Sequence, residues 1–111
     1  MSLFVDPVFD QIEASARTGA NFVEIHTGAY ANEKKASERR ARLKEVAGSC
    51  RLAESLGLRV NAGHGLDYNN VRAVALIDEI EELNIGFSII ARAVFVGLRT
   101  AVAEMKRAIK V

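Results

Sequence analysis

Three short segments carry residues whose types and spacing could do chemistry. Glu24 precedes His26 by two positions, His64 stands between Gly63 and Gly65, and Gly86 and Phe87 open an apolar segment. A carboxylate can stabilise positive charge or act as a base, and an imidazole exchanges protons near neutral pH. Glycine corners let backbone N–H groups approach an anion. These features indicate proton transfer on a phosphorylated small molecule, although position alone leaves His64 equally open to being a surface-loop histidine.

A strand followed by a helix, repeated four times, must position these residues. The pattern predicts strands at residues 2–6, 22–27, 59–64 and 82–86, and helices at about 7–18, 34–55, 71–76, 88–93 and 97–109. Asp6 and Asn70 are expected to cap helices, and Pro7 to occupy a first helical position. Gly19 and Gly57 are expected to end helices in left-handed conformations. Short strands alternating with helices indicate parallel pairing through right-handed crossovers, hence an α/β fold.

Helical spacing predicts which faces of these helices are buried. The expected apolar stripes are Phe9, Ile12 and Ala16, and Leu43, Val46, Ala47, Cys50 and Ala53. In the last helix, Leu98, Val102, Met105 and Ile109 stand at helical spacing. No linker or low-complexity stretch interrupts the pattern, so residues 1–111 are interpreted as one domain.

The strands alternate between apolar and polar residues, which parallel strands covered on both faces do not usually do. Apolar Val23, Ile25, Val60 and Ala62 should meet the helices, so Glu24, His26, Asn61 and Asn84 should share the opposite face. In a barrel that face is the lumen. The polar row is interpreted as a site at the carboxyl ends of the strands; a satisfied polar network that sets strand register is the alternative. His26 is a weaker candidate for a catalytic role than Glu24, because a histidine at this position is more often expected to hold a loop by hydrogen bonding.

Composition excludes several classes of function. The net charge of +1 over 111 residues gives no electrostatic case for nucleic acid or an anionic membrane. The basic residues early in the long helix are interleaved with Glu33, Glu38 and Glu45, as on a solvated face. Cys50 is expected to be a buried core residue, compatible with a reducing cytoplasm. No signal peptide or membrane span is expected. Two histidines on separate strands, with no acidic residue at ligand spacing, are a poor metal site, so no metal is predicted. No cofactor is predicted either.

Four segments together resemble pyridoxine 5'-phosphate synthases. They are SLFVDP at 2–7, FVEIHTGAYA at 22–31, LGLRVNAGHGLDYNNV at 56–71 and ELNIGFSIIARAVFVGL at 82–98. The resemblance covers essentially the whole chain. NAGHGL and ELNIG stand at the correct distance from EIHTG, so another phosphate-binding barrel, such as a sugar-phosphate isomerase, fits less well. It implies a (β/α)₄ half of a (β/α)₈ barrel, with strands equivalent to the last four of eight.

The resemblance also implies a reaction and roles. The family condenses 3-amino-2-oxopropyl phosphate with 1-deoxy-D-xylulose 5-phosphate to pyridoxine 5'-phosphate. His64 resembles the late proton donor and Glu24 the transition-state-stabilising carboxylate. Gly65, Gly86 and Phe87 resemble backbone contacts to the aminoketone phosphate, and many members have His where this chain has Phe87.

A half barrel is also expected to lack part of the family's site. The first four strands, with the arginines that grip the pentulose phosphate and two catalytic bases, have no counterpart in this sequence. The expected partners are therefore phosphorylated substrates or inorganic phosphate, and a second copy of the chain that closes the barrel. The alternative is a non-catalytic half barrel that folds and oligomerises.

Overall fold

Four parallel strands form the centre of the computed structural model, which describes residues 1–110 and not Val111. The strands are β1 (Ser2–Val5), β2 (Phe22–His26), β3 (Arg59–Gly63) and β4 (Ile80–Asn84). They lie side by side in chain order, and all three pairings are parallel. Parallel neighbours require crossover connections, and a helix lies in each one. The predicted α/β fold with four parallel strands is confirmed.

Within residues 1–110, six helices accompany the sheet. They are α1 (Phe9–Arg17), α2 (Gly28–Asn32), α3 (Ala36–Ser55), α4 (Val71–Ala75), α5 (Phe87–Val96) and α6 (Leu98–Ile109). The short helix α2 was not predicted, because five residues are too few to show helical periodicity. The helix expected at 88–93 is longer at both ends. Within residues 1–110, no helix combines the length and apolar character needed to cross a bilayer.

The beginning of α1 differs from the prediction. The helix starts at Phe9, so Pro7 is not its first residue, and Asp6 makes no side-chain cap. Instead, the Asp6 carbonyl accepts from the Val8 N–H at 2.8 Å, and the Asp6 N–H donates to Gln11 Oε1 at 2.9 Å. A tight turn at the strand end, closed by Gln11, replaces the expected cap. The helix does end before Gly19, which has a φ of +79° as predicted.

Asn70 precedes α4 but does not cap it. Its Oδ1 accepts from the Asp67 N–H at 2.8 Å, and its Nδ2 donates to the Gly65 carbonyl at 3.2 Å. Asp67 Oδ1 accepts in turn from the N–H groups of Asn69 and Asn70. The loop after β3 is therefore closed by its own amide and carboxylate groups, which compete with helix capping.

Strand β4 runs two residues earlier than predicted. The pairing of β3 with β4 is irregular between Val60 and Asn61, whose partners are Ile80 and Glu82, so Glu81 is an extra residue. Arg59 Nε lies 2.9 Å from Glu81 Oε2 across this irregularity. That hydrogen bond is the main reason why the pKa of Glu81 is lowered. A bulge interrupts the alternation on which the prediction depended.

The core lies between the sheet and the helices. Val23 and Ile25 of β2 and Val60 and Ala62 of β3 are buried, as the alternation predicted. Val46, Cys50 and Ala53 confirm the stripe of α3. Phe9 was wrongly placed in a buried stripe, since it is 57% exposed. Its ring packs against α3 at Gly48, and a Cβ added to Gly48 would lie 3.7 Å from Phe9 Cζ. Contact with a neighbouring helix therefore replaces full burial there.

The single cysteine, Cys50, offers a test of burial in this core. Burial is the main cause that raises the pKa of Cys50 to about 12, from an ordinary value of 9.0. We expect a disulfide reagent at pH 8 to label the native thiol at least about a hundredfold more slowly than the thiol in denaturant, because only the thiolate reacts. The raised pKa in the folded state means that the neutral thiol contributes to the free energy of unfolding. This contribution is complete below pH 9 and is lost as the pH rises towards 12. Equal labelling rates with and without guanidinium would contradict this.

Candidate active site

The face of the sheet that the helices leave uncovered carries a carboxylate and a carboxamide in direct contact. Asn84 Nδ2 on β4 donates to Glu24 Oε1 on β2 at 2.6 Å. The two residues lie on different strands with β3 between them. Their side chains point away from buried Val23 and Ile25, because neighbouring residues of a strand face opposite sides. The predicted convergence of Glu24 and Asn84 therefore exists.

Gly63 makes this contact across β3 possible. A Cβ at Gly63 would lie 2.7 Å from the Asn84 carbonyl oxygen and 3.1 Å from Glu24 Oε2. Any side chain would therefore displace one partner of the hydrogen bond. The sequence predicts a role for Gly63 only in a glycine corner that could approach an anion, and does not predict that it admits this contact. The signal was present, since glycine inside a strand often marks a close approach of other atoms.

Asn61 contributes less than expected. It is the register partner of Glu24 on β3, yet among residues 1–110 its buried Oδ1 finds no hydrogen-bond donor. A network that served only to set strand register would leave no buried oxygen unpaired. The polar row is therefore only partly satisfied by the chain's own groups.

His64 follows β3 directly and is exposed, on a loop held in place by its neighbours. Its φ of 92° is the only positive φ of a non-glycine residue between residues 1 and 110. Gly65 has a φ of +76°, and a Cβ on it would lie 2.8 Å from Ala31 Cβ of α2. Glycine is therefore required at position 65, and the loop passes very close to α2.

The second glycine corner is the start of α5. The Ile90 N–H donates to the Gly86 carbonyl at 3.0 Å, so the helix begins from Gly86. The N–H groups of Phe87 and Ser88 lie in its first turn, where a helix offers them no internal acceptor. Ser88 Oγ donates to the Leu66 carbonyl at 2.8 Å and thereby joins this corner to the loop after β3. The sequence had not suggested this link.

One pocket of about 760 Å³ unites these features. Six of the eight predicted site residues line it, together with Phe4, Leu66, Asp67, Ile85, Ser88 and Ala91; the six are Glu24, His64, Gly65, Asn84, Gly86 and Phe87. His26 and Asn61 do not line it. The Phe87 side chain is 89% exposed, so its backbone is its structurally defined contribution. Of the residues that the structure describes, no Lys or Arg lines the pocket.

The pocket's chemistry follows from its lining. First-turn N–H groups and the dipole of α5 favour an anion beside Gly86. His64 can give or take a proton there, and Glu24 can stabilise a developing positive charge. Within the described chain, no three His, Cys, Asp or Glu side chains gather into a group that could hold a metal ion. Binding of a phosphate here would depend on backbone groups and one imidazole, because no long cationic side chain is at hand.

Parallel strands that present polar residues and glycine corners at their carboxyl ends define half of an α/β barrel with a candidate anion-binding site. The sequence profile of the family described as "Pyridoxal phosphate biosynthesis protein PdxJ" matches residues 1–111. The chain is also 56% identical over 110 residues to the pyridoxine 5'-phosphate synthase of Microcystis aeruginosa (strain NIES-843 / IAM M-2473), with 99% of this chain covered. The chain belongs to the PdxJ family.

The chain spans about half the length of the curated relative it matches, namely 46% of that protein. Four parallel strands with their helices correspond to half of the family's barrel. The pocket described above is accordingly lined from one side of a barrel only.

Gly63 offers a test of the contact between Glu24 and Asn84. We expect Gly63→Ala to lower the free energy of unfolding by about 1–3 kcal/mol, because the new methyl group must displace backbone or a hydrogen-bonded carboxylate. The measurement is urea denaturation followed by circular dichroism.

Gly48→Ala is the matched control. A Cβ at Gly48 makes only ordinary contacts, the nearest at 3.7 Å, and alanine favours the helix α3 by about 1 kcal/mol over glycine. This variant should be as stable as the wild type or more so. A Gly63→Ala protein as stable as Gly48→Ala would contradict the crowding inferred at β3.

Proposed function

We propose that this chain forms the C-terminal part of a pyridoxine 5'-phosphate synthase site. The reaction would be the family's condensation of 3-amino-2-oxopropyl phosphate with 1-deoxy-D-xylulose 5-phosphate. The observation that carries the proposal is the meeting of Glu24, His64 and both glycine corners at one pocket. Membership of the PdxJ family supports it. The buried thiol of Cys50 is compatible with the reducing cytoplasm, which we propose as the protein's location.

Each residue has a role in this proposal. His64 is the proton donor, exposed at the pocket on a loop anchored to its surroundings. Glu24 stabilises positive charge that develops in the transition state, and Asn84 keeps its carboxylate aimed into the pocket. Gly65, Gly86 and Phe87 bind the aminoketone phosphate through backbone N–H groups. Asn61 and His26 support the site from positions outside the pocket lining.

The other half of the barrel must supply what this pocket lacks. Two phosphorylated substrates bring several negative charges, while the charged carboxylates that line the pocket, Glu24 and Asp67, are themselves anionic. Backbone dipoles and the single imidazole of His64 would have to offset this repulsion. We therefore propose that the isolated 111-residue polypeptide binds phosphate weakly and forms no product.

A chimera tests the catalytic roles. It joins the portion of the Microcystis aeruginosa relative that precedes the matched region to this chain. We expect the chimera to form pyridoxine 5'-phosphate, and His64→Gln or Glu24→Gln to lower kcat by about 10²–10⁴-fold, as loss of a positioned acid–base group typically does. Product formation is measured by chromatography.

Arg40→Gln is the control in the same chimera. Arg40 is exposed on α3 and absent from the pocket, so this variant should retain the kcat of its parent. An inactive chimera that is folded would refute the proposed reaction. Full activity of the His64→Gln chimera would refute only the proposed role of His64 and would leave the proposed reaction standing.

We also propose that the isolated polypeptide forms a two-fold dimer. Within residues 1–110, β1 and β4 each have one neighbouring strand, so each presents a row of unpaired backbone groups. A two-fold axis parallel to the strands would place β1 of one copy beside β4 of the other and keep all eight strands parallel. Helix α5, which follows the edge strand β4, buries none of its residues, and the exposed apolar side chains include Phe87, Ile90, Val94 and Phe95.

Light scattering coupled to size-exclusion chromatography tests the dimer. We expect a mass of twice 12.1 kDa for the isolated polypeptide. Val94→Asp should shift the population towards monomer, because it places a charge on the exposed apolar face of α5, where Val94 is 79% exposed. Arg40→Asp changes an exposed charge on α3 and should leave the mass unchanged. A monodisperse monomer of the wild-type chain would contradict the proposal.

A further inference from the structure

The backbone of His64 is held in an unfavourable conformation by one buried residue. A φ of 92° is sparsely populated for residues with a Cβ and persists only where surrounding contacts impose it. Thr27 supplies two such contacts. Its N–H donates to the Gly63 carbonyl at 2.9 Å and its Oγ1 donates to the His64 carbonyl at 2.7 Å. Because Thr27 is fully buried, it fixes the backbone of the loop after β3 from the side of the protein interior.

The imidazole of His64 is held by a second set of contacts. The ring centroids of His26 and His64 are 4.5 Å apart with an angle of 33° between the planes. The ring of Phe4 lies 4.9 Å from that of His26. These distances are those of packed aromatic pairs. His64 therefore enters the pocket with its ring resting on His26, which does not itself line the pocket.

Gly28 explains why the two imidazoles can lie so close together. Its N–H donates to His26 Nδ1 at 3.0 Å, so the neutral His26 ring carries its proton on Nε2. A Cβ at Gly28 would overlap His26 Cε1 and would lie 3.0 Å from His64 Cδ2. Both rings thus pack against the backbone at Gly28, and the N–H of that residue sets the orientation of His26.

We infer that His26 is a positioning residue, which orients the His64 imidazole towards the pocket while Gly28 fixes His26. The catalytic purpose of this positioning rests on the proposed role of His64 as proton donor. The contacts between the two imidazole rings do not depend on that role. His26 makes no contact with substrate in this scheme. It acts through the ring of His64, so its loss should affect the orientation of that ring more than the fold.

Nuclear magnetic resonance of the imidazoles tests the inference on the isolated chain. The chain has two histidines, so ¹⁵N-labelled protein gives two sets of ring signals, which His64→Gln assigns. We expect His26 at high pH to show the tautomer with Nε2 protonated. The ring protons of His64 should be displaced by the ring current of its neighbour, and His26→Ala should return them to the values of a free histidine.

His26→Phe is the conservative variant. It keeps an aromatic ring beside His64 but removes the acceptor for the Gly28 N–H, so it should preserve most of the displacement of the His64 signals. Unchanged His64 signals in His26→Ala would overturn the inference. It would equally be overturned if His64 signals in a natively folded His26→Phe protein matched those of a free histidine. If His26→Ala does not fold, His26→Phe alone decides.

The chimera separates this inference from the proposed function. His26→Ala should lower kcat by roughly ten- to a hundredfold with little change in KM, as misplacement of a catalytic group does, and His26→Phe should restore most of the loss. An inactive parent chimera would refute the proposed reaction and leave the spectroscopic result standing. Restored ring signals without restored kcat would show that positioning by His26 does not serve catalysis.

Discussion

Strand alternation with helices on one face only is the constraint on which the rest of the structure depends. Val23, Ile25, Val60 and Ala62 must face the helices because only there can they leave water. Every intervening residue is then directed to the opposite face, whatever its polarity. Glu24 and Asn84 meet on that face because burial of their neighbours leaves them no other direction. The core therefore positions the candidate site, and of its buried apolar residues Leu66 lines the pocket.

Three glycines turn this polar face into a site. Gly63 admits the hydrogen bond across β3, Gly65 allows the loop to pass α2, and Gly28 lies against both imidazoles. In each case a Cβ would come into unusually close contact with a neighbouring group. The site is therefore assembled by close approach of backbone, and its capacity to hold an anion rests on backbone N–H groups as well. Few side chains are needed to build it, which suits a face that must leave room for a substrate.

The electrostatics of the pocket are consistent with half of a site. Its lining includes the carboxylates of Glu24 and Asp67 but, among residues 1–110, no Lys or Arg. The cationic side chains of the described chain lie elsewhere; Arg59 and Arg92, for example, pair with Glu81 and Glu104 on the surface. Those exposed pairs are screened by water and contribute little to stability, and none of the four residues lines the pocket. Charge complementarity for the phosphorylated substrates that we propose would accordingly have to come from outside this pocket.

The regular parts of the fold could be predicted from residue pattern alone. Period-two alternation identified the four strands, and helical spacing identified the buried stripe of α3, because burial imposes both periodicities locally. The pattern failed where a local competitor acted. A tight turn closed by Gln11 replaced the cap at Asp6, amide groups of the loop occupied Asn70, and the bulge at Glu81 moved β4. These contacts carry no periodic signal.

The amino-acid sequence by itself determined the fold class, the face on which Glu24, Asn61 and Asn84 lie, and the glycine corners, since each follows from local spacing. Only the tertiary structure decided which of those groups touch. Among residues 1–110, it joined Glu24 to Asn84, left Asn61 Oδ1 without a donor, and placed the ring of His26 against that of His64. The reason is physical: direction along a strand is set by its own residues, whereas distance between strands depends on register, bulges and the absence of a Cβ at a few positions.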